Sequence, residues 1–307
     1  MFAQYWGDFL NTNKVKNIVL ILLVALNVSL FGLIQLENSR FRLSAAQETA
    51  IRELFAANNI EITTTIPRNF RPMRGLYVQP FRHDIHEHGA RFFPNETPEF
   101  VPLWNSETLQ VGERTLTLDN TYLGDYVLLY NYEPGHSTPE FLERGFTDVY
   151  AGRALVDEFI RTMAPPGLDF IFNYAAWDED SFLFEYRGYF MGYIISDNFI
   201  SVRIMENGIV GARFLFAGIP YEFSSEAREI FSADEALFTV FQDTLHRYAD
   251  SEVVVVRIQL AYYLAGGMAN ADGITKAVPC YKISVEIDGR TRLFWVDAYT
   301  SELLDIR

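Results

Sequence analysis

The run Asn17-Ile18-Val19-Leu20-Ile21-Leu22-Leu23-Val24-Ala25-Leu26-Asn27-Val28-Ser29-Leu30-Phe31-Gly32-Leu33-Ile34-Gln35-Leu36 carries no charged residue, and the architecture turns on how it is read. At about 1.5 Å of rise per helical residue, a stretch of this length covers the roughly 30 Å hydrocarbon layer of a bilayer. Lys14 and Lys16 precede it; Glu37, Arg40 and Arg42 follow. A basic start before an apolar run also opens a secretory signal. Here the run outlasts a signal's apolar region, and Phe31 to Leu36 offers no small-x-small cleavage site. The sequence therefore predicts an uncleaved, single-pass transmembrane helix over residues 17–36, after a cytoplasmic tail of residues 1–16. The positive charges on its two sides nearly balance, so the charge rule gives little direction. The short tail favours a cytoplasmic N-terminus, with the bulk of the chain outside a cell membrane.

The remainder has the composition of a packed protein. Of 307 residues, 49% are hydrophobic and 15% aromatic, enough for a large core. The formal net charge is −15, which argues against a nucleic-acid partner because phosphate binding needs a basic surface. One cysteine, Cys280, excludes an intramolecular disulfide and a Cys-rich zinc site.

Beyond a short linker, Arg40 to Leu43, Ser44-Ala45-Ala46-Gln47 has the form of a capping box. The helix it opens would present Ala46, Ala50, Ile51, Leu54 and Phe55 on one face and stop at Asn58-Asn59. Ile60-Glu61-Ile62-Thr63 alternates as a strand, with further strand runs at Leu76–Gln79, Thr115–Leu118 and Tyr126–Tyr130. Ser137-Thr138-Pro139-Glu140 marks a second helical region whose apolar face is Leu155, Val156, Phe159, Ile160 and Met163, ended by Pro165-Pro166-Gly167. Strands are expected at Phe182–Phe190, Phe199–Ile204 and Ile209–Phe216, the last two joined by a turn at Glu206-Asn207-Gly208. A third helix opens at Ser232-Ala233-Asp234-Glu235 and carries Leu237, Phe238, Phe241 and Leu245. Val253–Tyr263, Tyr281–Ile287 and Arg292–Asp297 close the chain as strands, with Asp288-Gly289 at a hairpin.

The capping patterns at Ser44, Ser137 and Ser232 lie 93 and 95 residues apart, as helix-then-sheet modules would place them. The expected fold class is α+β: one transmembrane helix, then an extracytoplasmic region of helix-plus-antiparallel-sheet modules. Its division is read as a lobe over residues 37–220 and a C-terminal lobe over residues 221–307.

Catalytic motifs are missing: no G-x-S-x-G elbow, no P-loop and no G-x-G-x-x-G turn occur. His83, His86 and His88 lie in Arg82-His83-Asp84-Ile85-His86-Glu87-His88-Gly89, where an extended chain would put His86 and His88 on one face and a helix would make His83 and His86 neighbours. No pair has a recognised zinc spacing, so the stretch reads as a polar, solvated loop bounded by Pro80 and Gly89. Its histidines could titrate at mildly acidic pH. Asp178-Glu179-Asp180 reads as a solvated acidic loop and Cys280 as a small buried hydrophobe. No enzyme activity, metal or cofactor is expected. A metal-dependent enzyme centred on the three histidines is the least favoured class.

The apolar helix carries a polar mark. Asn27 sits near its middle, where an amide without a partner is costly in hydrocarbon. Leu20, Leu23, Phe31 and Ile34 share its face, while Ala25, Ser29 and Gly32 form a small-residue stripe nearly opposite. Asn27, Ala25, Ser29 and Gly32 are the candidate partner-binding residues within the membrane. The alternative is a lone anchor whose asparagine bonds its own helix backbone.

These residues resemble a known family. Lys14 and Lys16, the Leu26-Asn27 step, the capped helix ending Leu54…Asn58-Asn59-Ile60 and the Thr65-Ile66-Pro67 exit are similar to the YycI (WalI) regulatory proteins of Gram-positive bacteria. Those are relatives of YycH and accompany the WalK–WalR two-component system. Pro279…Tyr281 followed by Val296-Asp297-Ala298-Tyr299-Thr300-Ser301-Glu302 looks like the last strands of YycI and of PepSY-like modules. The resemblance covers about the first and last quarters of the chain. Two departures are a longer tail before the helix and Ser301 where a glycine is usual, which asks for another turn or a left-handed serine. The resemblance implies a non-enzymatic membrane regulator. Its partners would be a sensor histidine kinase and a YycH-like protein, engaged through transmembrane helix contacts. A second reading is an extracytoplasmic binding or inhibitory module for a peptidase or a cell-wall polymer.

Overall fold

Helix α1 (Thr12–Arg40) takes in the whole apolar run and adds a turn at each end. The computed structural model describes residues 12–80, 84–102, 104–122, 125–132, 148–178, 181–205, 208–248, 251–264 and 274–306. After α1 the architecture is α+β. Helix α2 (Ala45–Ala56) leads to strands β1 (Ile60–Ile62) and β2 (Met73–Pro80), then to helix α3 (Ile85–Phe92). Strands β3 (Glu99–Pro102), β4 (Ser106–Val111), β5 (Arg114–Tyr122) and β6 (Asp125–Tyr132) form a meander. Helix α4 (Val149–Met163) precedes β7 (Asp169–Asp178), β8 (Ser181–Phe190), β9 (Tyr193–Met205), β10 (Gly208–Phe216) and β11 (Gly218–Arg228). Helix α5 (Ala233–Tyr248) is followed by β12 (Val253–Tyr263), β13 (Thr275–Ile287), β14 (Arg290–Asp297) and β15 (Leu303–Ile306).

The local signals are realised where chemistry is local. Ser44 Oγ accepts the Gln47 N–H while the Gln47 side chain accepts the Ser44 N–H, a complete capping box. At α5 the exchange is half of one: Glu235 accepts from both the N–H and the hydroxyl of Ser232. Ser137 lies outside the described residues, and α4 opens at Asp148, whose carboxylate accepts the Ala151 N–H. Asn59, at φ 60, ends the α2 region in the left-handed conformation, and Asp288 and Gly289, at φ 50 and 74, make the hairpin turn. Ser301 is left-handed at φ 57, the second of the two geometries expected there, and Thr239 of α5 holds that turn through the Ser301 carbonyl at 2.9 Å. Glu206 and Asn207 lie outside the described residues, as do Glu179, Asp180 and the side chain of Leu245.

Strands run in the order β11-β2-β13-β12-β9-β10-β6-β5-β4-β3, with β7 and β8 branching from β9 and β14 and β15 from β13. Most pairings are antiparallel. Among the described residues two are parallel, β1 on β12 (Ile60 opposite Val253) and β12 on β9 (Ala261 opposite Ile194), each bridged by a long stretch of chain.

Two large hydrophobic cores result, beside a smaller cluster of Ala261, Tyr263, Cys280 and Trp295. In one, α2 and α5 pack on β2, β12, β13 and β14, joining Ile51, Phe55, Leu76 and Leu237 to Tyr281, Ile283 and Phe294. In the other, α3 and α4 cover β4–β6 and β8–β10, where the rings of Phe92, Tyr130, Phe159 and Phe214 meet at centroid distances of 5.1 to 6.3 Å. Strand β9 serves both: Ile195 enters the first core, and Ile200, Val202 and Ile204 enter the second. Between them Ser196, Asp197 and Asn198 are buried. Asn198 satisfies its amide on the β10–β11 junction, donating to the Gly218 carbonyl at 2.7 Å and accepting from Ala217 N–H at 2.9 Å.

Two expectations are corrected. The buried stripe of α2 is Glu48, Ile51 and Phe55, whereas Ala46, Ala50 and Leu54 are exposed. The apolar stripe assigned from spacing was too wide, because Glu48 is drawn inward by two arginines. The second correction concerns residues 84–92, which form α3 rather than a loop. Asp84 caps its first N–H groups, accepting from His86 at 2.9 Å, and Ile85, His88 and Phe92 turn into the core at helical spacing. Gly89 is inside the helix because a Cβ there would stand 2.2 Å from Leu109 Cδ1 on β4.

Candidate functional site

Among the described residues, Lys16–Ile34 is long and apolar enough to cross a membrane, and none of it is buried against the rest of the chain. Ala25, Ser29 and Gly32 are exposed, and nothing lies within 4 Å of a Cβ built on Gly32. Asn27 donates its amide N–H to the Leu23 carbonyl one turn back at 2.9 Å. That bond lowers the cost of placing an amide in hydrocarbon and leaves its oxygen as an acceptor for another helix.

The base of α1 is docked rather than free. Residues 40–43, expected as a linker, pair with the exit of β1. Leu43 N–H donates to the Arg68 carbonyl at 2.8 Å, Phe70 N–H to the Phe41 carbonyl at 3.1 Å, and Arg42 bridges to Asn69. The Phe41 and Phe70 rings meet edge to face at 6.1 Å. Beside them Glu48 accepts from Arg52 and Arg68, while Arg52 also donates to the carbonyls of Ile62 and Thr64. Hydrogen-bonded backbone thus ties the folded region to the residues that directly follow α1.

The two described histidines of the cluster, His86 and His88, do not converge. His83 lies outside the described residues. His86 is exposed and meets the Phe100 ring at 5.3 Å with a tilt of 39°, whereas His88, two positions on and so on the other side of α3, is buried. Burial, reinforced by Arg91, pushes the His88 imidazole down to about 4, out of the range of a sensor at mildly acidic pH. No group of three or more metal-ligating side chains forms among the described residues. Cys280 is fully buried, and burial drives its thiol well above the usual range, the opposite of nucleophile activation.

Sequence reasoning missed a buried polar group on the sheet face opposite α2 and α5. Pairing register lines up Gln259, Lys282, Trp295 and Asp305 across β12, β13, β14 and β15. Lys282 is only 4% exposed. Near it Glu185 is held by Arg187 at 2.8 Å and by the Asn173 amide at 2.6 Å, and Arg257 donates to Asn173 at 2.7 Å. In the sequence Lys282 falls on the polar alternation Cys280, Lys282, Ser284, Glu286, the ordinary mark of a solvated sheet face. No local signal shows that this face is covered.

Comparison with known proteins gives a fold without a family. No family model matches the chain, and no curated protein does. A solved structure of an uncharacterized protein from Eubacterium rectale ATCC 33656 is similar at a TM-score of 0.50 and 14% identity, covering 81% of this chain and 90% of that one. The Bacillus megaterium YpeB C-terminal domain matches at a TM-score of 0.35 and 12% identity, over 75% of this chain and 98% of that one. The first is a likeness of fold alone; the second is too distant in backbone to argue from.

Proposed function

We propose that this chain is a single-pass membrane protein, N-terminus inside, whose extracytoplasmic α+β region adjusts a sensor histidine kinase through α1. A YycH-like protein would be the second partner. The reading is supported by one observation above the others: an exposed apolar helix runs directly into a backbone-paired base at Arg68–Phe70. A freely tethered anchor needs no such coupling, whereas a regulator working through its helix does. The YycI resemblance in the first and last quarters adds the kinase, although no family model supports that assignment. Shifting a kinase equilibrium takes about 1–3 kcal/mol, which a few membrane helix contacts of about 0.6 kcal/mol each can supply.

The decisive experiment replaces Asn27 by leucine in the full-length protein and follows co-purification with the kinase together with reporter output. Loss of both supports the reading, and Ala25, Ser29 and Gly32 are then mapped by substitution to leucine. Unchanged co-purification and output would remove Asn27 from the mechanism.

A second reading, an extracytoplasmic binding or inhibitory module for a peptidase or wall polymer, draws on the buried polar face around Lys282. Binding of wall polymer that survives removal of α1 would favour it over helix-mediated regulation.

A further inference from the structure

We infer that the covered sheet face around Lys282, Arg187 and Arg257 is an oxyanion-binding site, built to take a phosphate or carboxylate group. The inference deepens the binding-module reading and rests on it.

The first argument is shape. Arg257 on β12 reaches Asn173 on β7, and the strands between them are β8 and β9. Tyr263 on β12 reaches Asp305 on β15 at 3.3 Å, across β13 and β14. Strands three positions apart in a flat sheet are about 14 Å apart, beyond the reach of paired side chains standing upright on it. The sheet must therefore curl toward this face on both sides of β12 and β13, making a trough with Lys282 and Trp295 on its floor.

The second argument is charge. At the Arg257 end three cations, Arg187, Arg257 and Lys282, meet one carboxylate, Glu185, which is already bound to Arg187 on its own strand, while Asp297 and Asp305 lie farther along the same face, engaged by the Tyr299 N–H and the Tyr263 hydroxyl. Among the described residues neither Lys282 nor Arg257 has a carboxylate within ion-pair distance. The Lys282 ammonium instead lies 5.9 Å from the Trp295 ring centroid. Burial, with Arg187 and Arg257 adding to it, lowers the Lys282 ammonium to about 8 despite the opposing charge of Glu185. A buried cation with no carboxylate in ion-pair contact is expensive, and a chain of formal charge −15 does not lack carboxylates to place beside it. The cationic end of the trough, short of counter-charge at Lys282 and Arg257, is what an anion site looks like before its ligand arrives.

The third argument is access. Arg257, Gln259 and Asn173 are half-buried, so the cluster opens to solvent at the Arg257 end while Lys282 closes it below. Arg257 offers a planar fork, Gln259 an amide and Lys282 a point charge: donors for oxygens, with one carboxylate that is already engaged.

The test titrates the full-length protein in detergent with sodium phosphate, and separately with sodium acetate, against sodium chloride at equal ionic strength, following the thermal midpoint. Phosphate stabilises folded proteins in general, so the readout is the difference between wild type and Arg257→Gln. A saturable rise in wild type, with apparent affinity weakened about tenfold or more in Arg257→Gln, is expected from losing a charge-assisted hydrogen bond. The salt that produces it tells phosphate from carboxylate. Lys282→Met should abolish the rise; should that variant not fold, Arg257→Gln decides alone. Equal shifts in wild type and Arg257→Gln for both salts would overturn the inference. Wall-polymer binding that persists in that case would keep the module reading and discard only the oxyanion.

Discussion

The guanidinium of Arg68, the first residue of the segment that pairs with the base of α1, donates to Oε2 of Glu48 on α2 at 2.8 Å. Arg52, one turn along the same helix, closes on the other oxygen at 3.0 Å. A carboxylate in the first turn of a helix also meets the positive end of its dipole. Glu48 thus ties α2 to the exit of β1, the segment on which residues 41–43 at the base of the apolar helix are docked.

Replacing Glu48 by glutamine should cost about 1–2 kcal/mol at neutral pH, measured by urea denaturation. The value is held down because Arg52 and Arg68 are 35% and 43% exposed in their side chains and keep access to water. The hydrogen bonds from Arg68 and then Arg52 hold the Glu48 carboxyl below its ordinary 4.5. A depressed carboxylate stabilises fully above the ordinary value and loses that contribution as pH falls through the lowered one. The acid limb of Glu48→Gln should be shallower than wild type below about pH 4.5.

His88 gives the stability curve a second, earlier slope. Its imidazole is neutral in the fold down to about 4 against an ordinary 6.5, so the unfolded chain binds a proton first. Stability associated with neutral His88 is complete above 6.5 and declines as pH falls toward about 4. At about pH 5 the decline should be about 2 kcal/mol relative to neutral pH. His88→Gln, which cannot titrate, should lack this slope, and NMR titration of the wild-type imidazole should report the lowered value directly. A midpoint near 6.5 would contradict the burial of His88.

Asn198 is where the two cores are stitched together, so its amide should matter more than any one apolar contact nearby. Asn198→Ala strands the Gly218 carbonyl and the Ala217 N–H, groups that β9 presently satisfies. Leaving two such groups without partners should cost about 2–4 kcal/mol. Hydrogen exchange should then show β9 to β11 opening well before the α5 core, a separation that a simple cavity would not produce.

What could be read in the sequence was what neighbouring residues decide. Ser44 and Gln47 close their capping box within four residues, and Asp288-Gly289 turns β13 into β14 without outside help. The apolar run that became α1 is legible for the same reason. By contrast β1 pairs with β12 nearly two hundred residues away, and nothing in Ile60-Glu61-Ile62 names that partner. Helix α3 was hidden because His88 counts as polar in any pattern, yet it replaces an apolar residue at the buried position between Ile85 and Phe92. The Lys282 face was hidden more deeply. Its alternation is that of a wet surface, and only the curl of seven strands around it removes the water.

The coupling between fold and membrane can be tested without touching the apolar run. Phe41 and Phe70 meet edge to face directly beside the backbone pairing that docks α1, a contact worth about 0.5–1.5 kcal/mol. Phe70→Ala removes the ring but leaves the Phe70 N–H donating to the Phe41 carbonyl, so the fold should survive with a loss of about 1–2 kcal/mol. Membrane retention, measured by alkaline extraction, should not change, because Lys16–Ile34 is untouched. Kinase reporter output should shift toward that of cells lacking the protein, since the base of the helix no longer follows the domain closely. Output equal to wild type, with the variant folded and retained, would mean that the docked base transmits nothing and that α1 serves only as a tether.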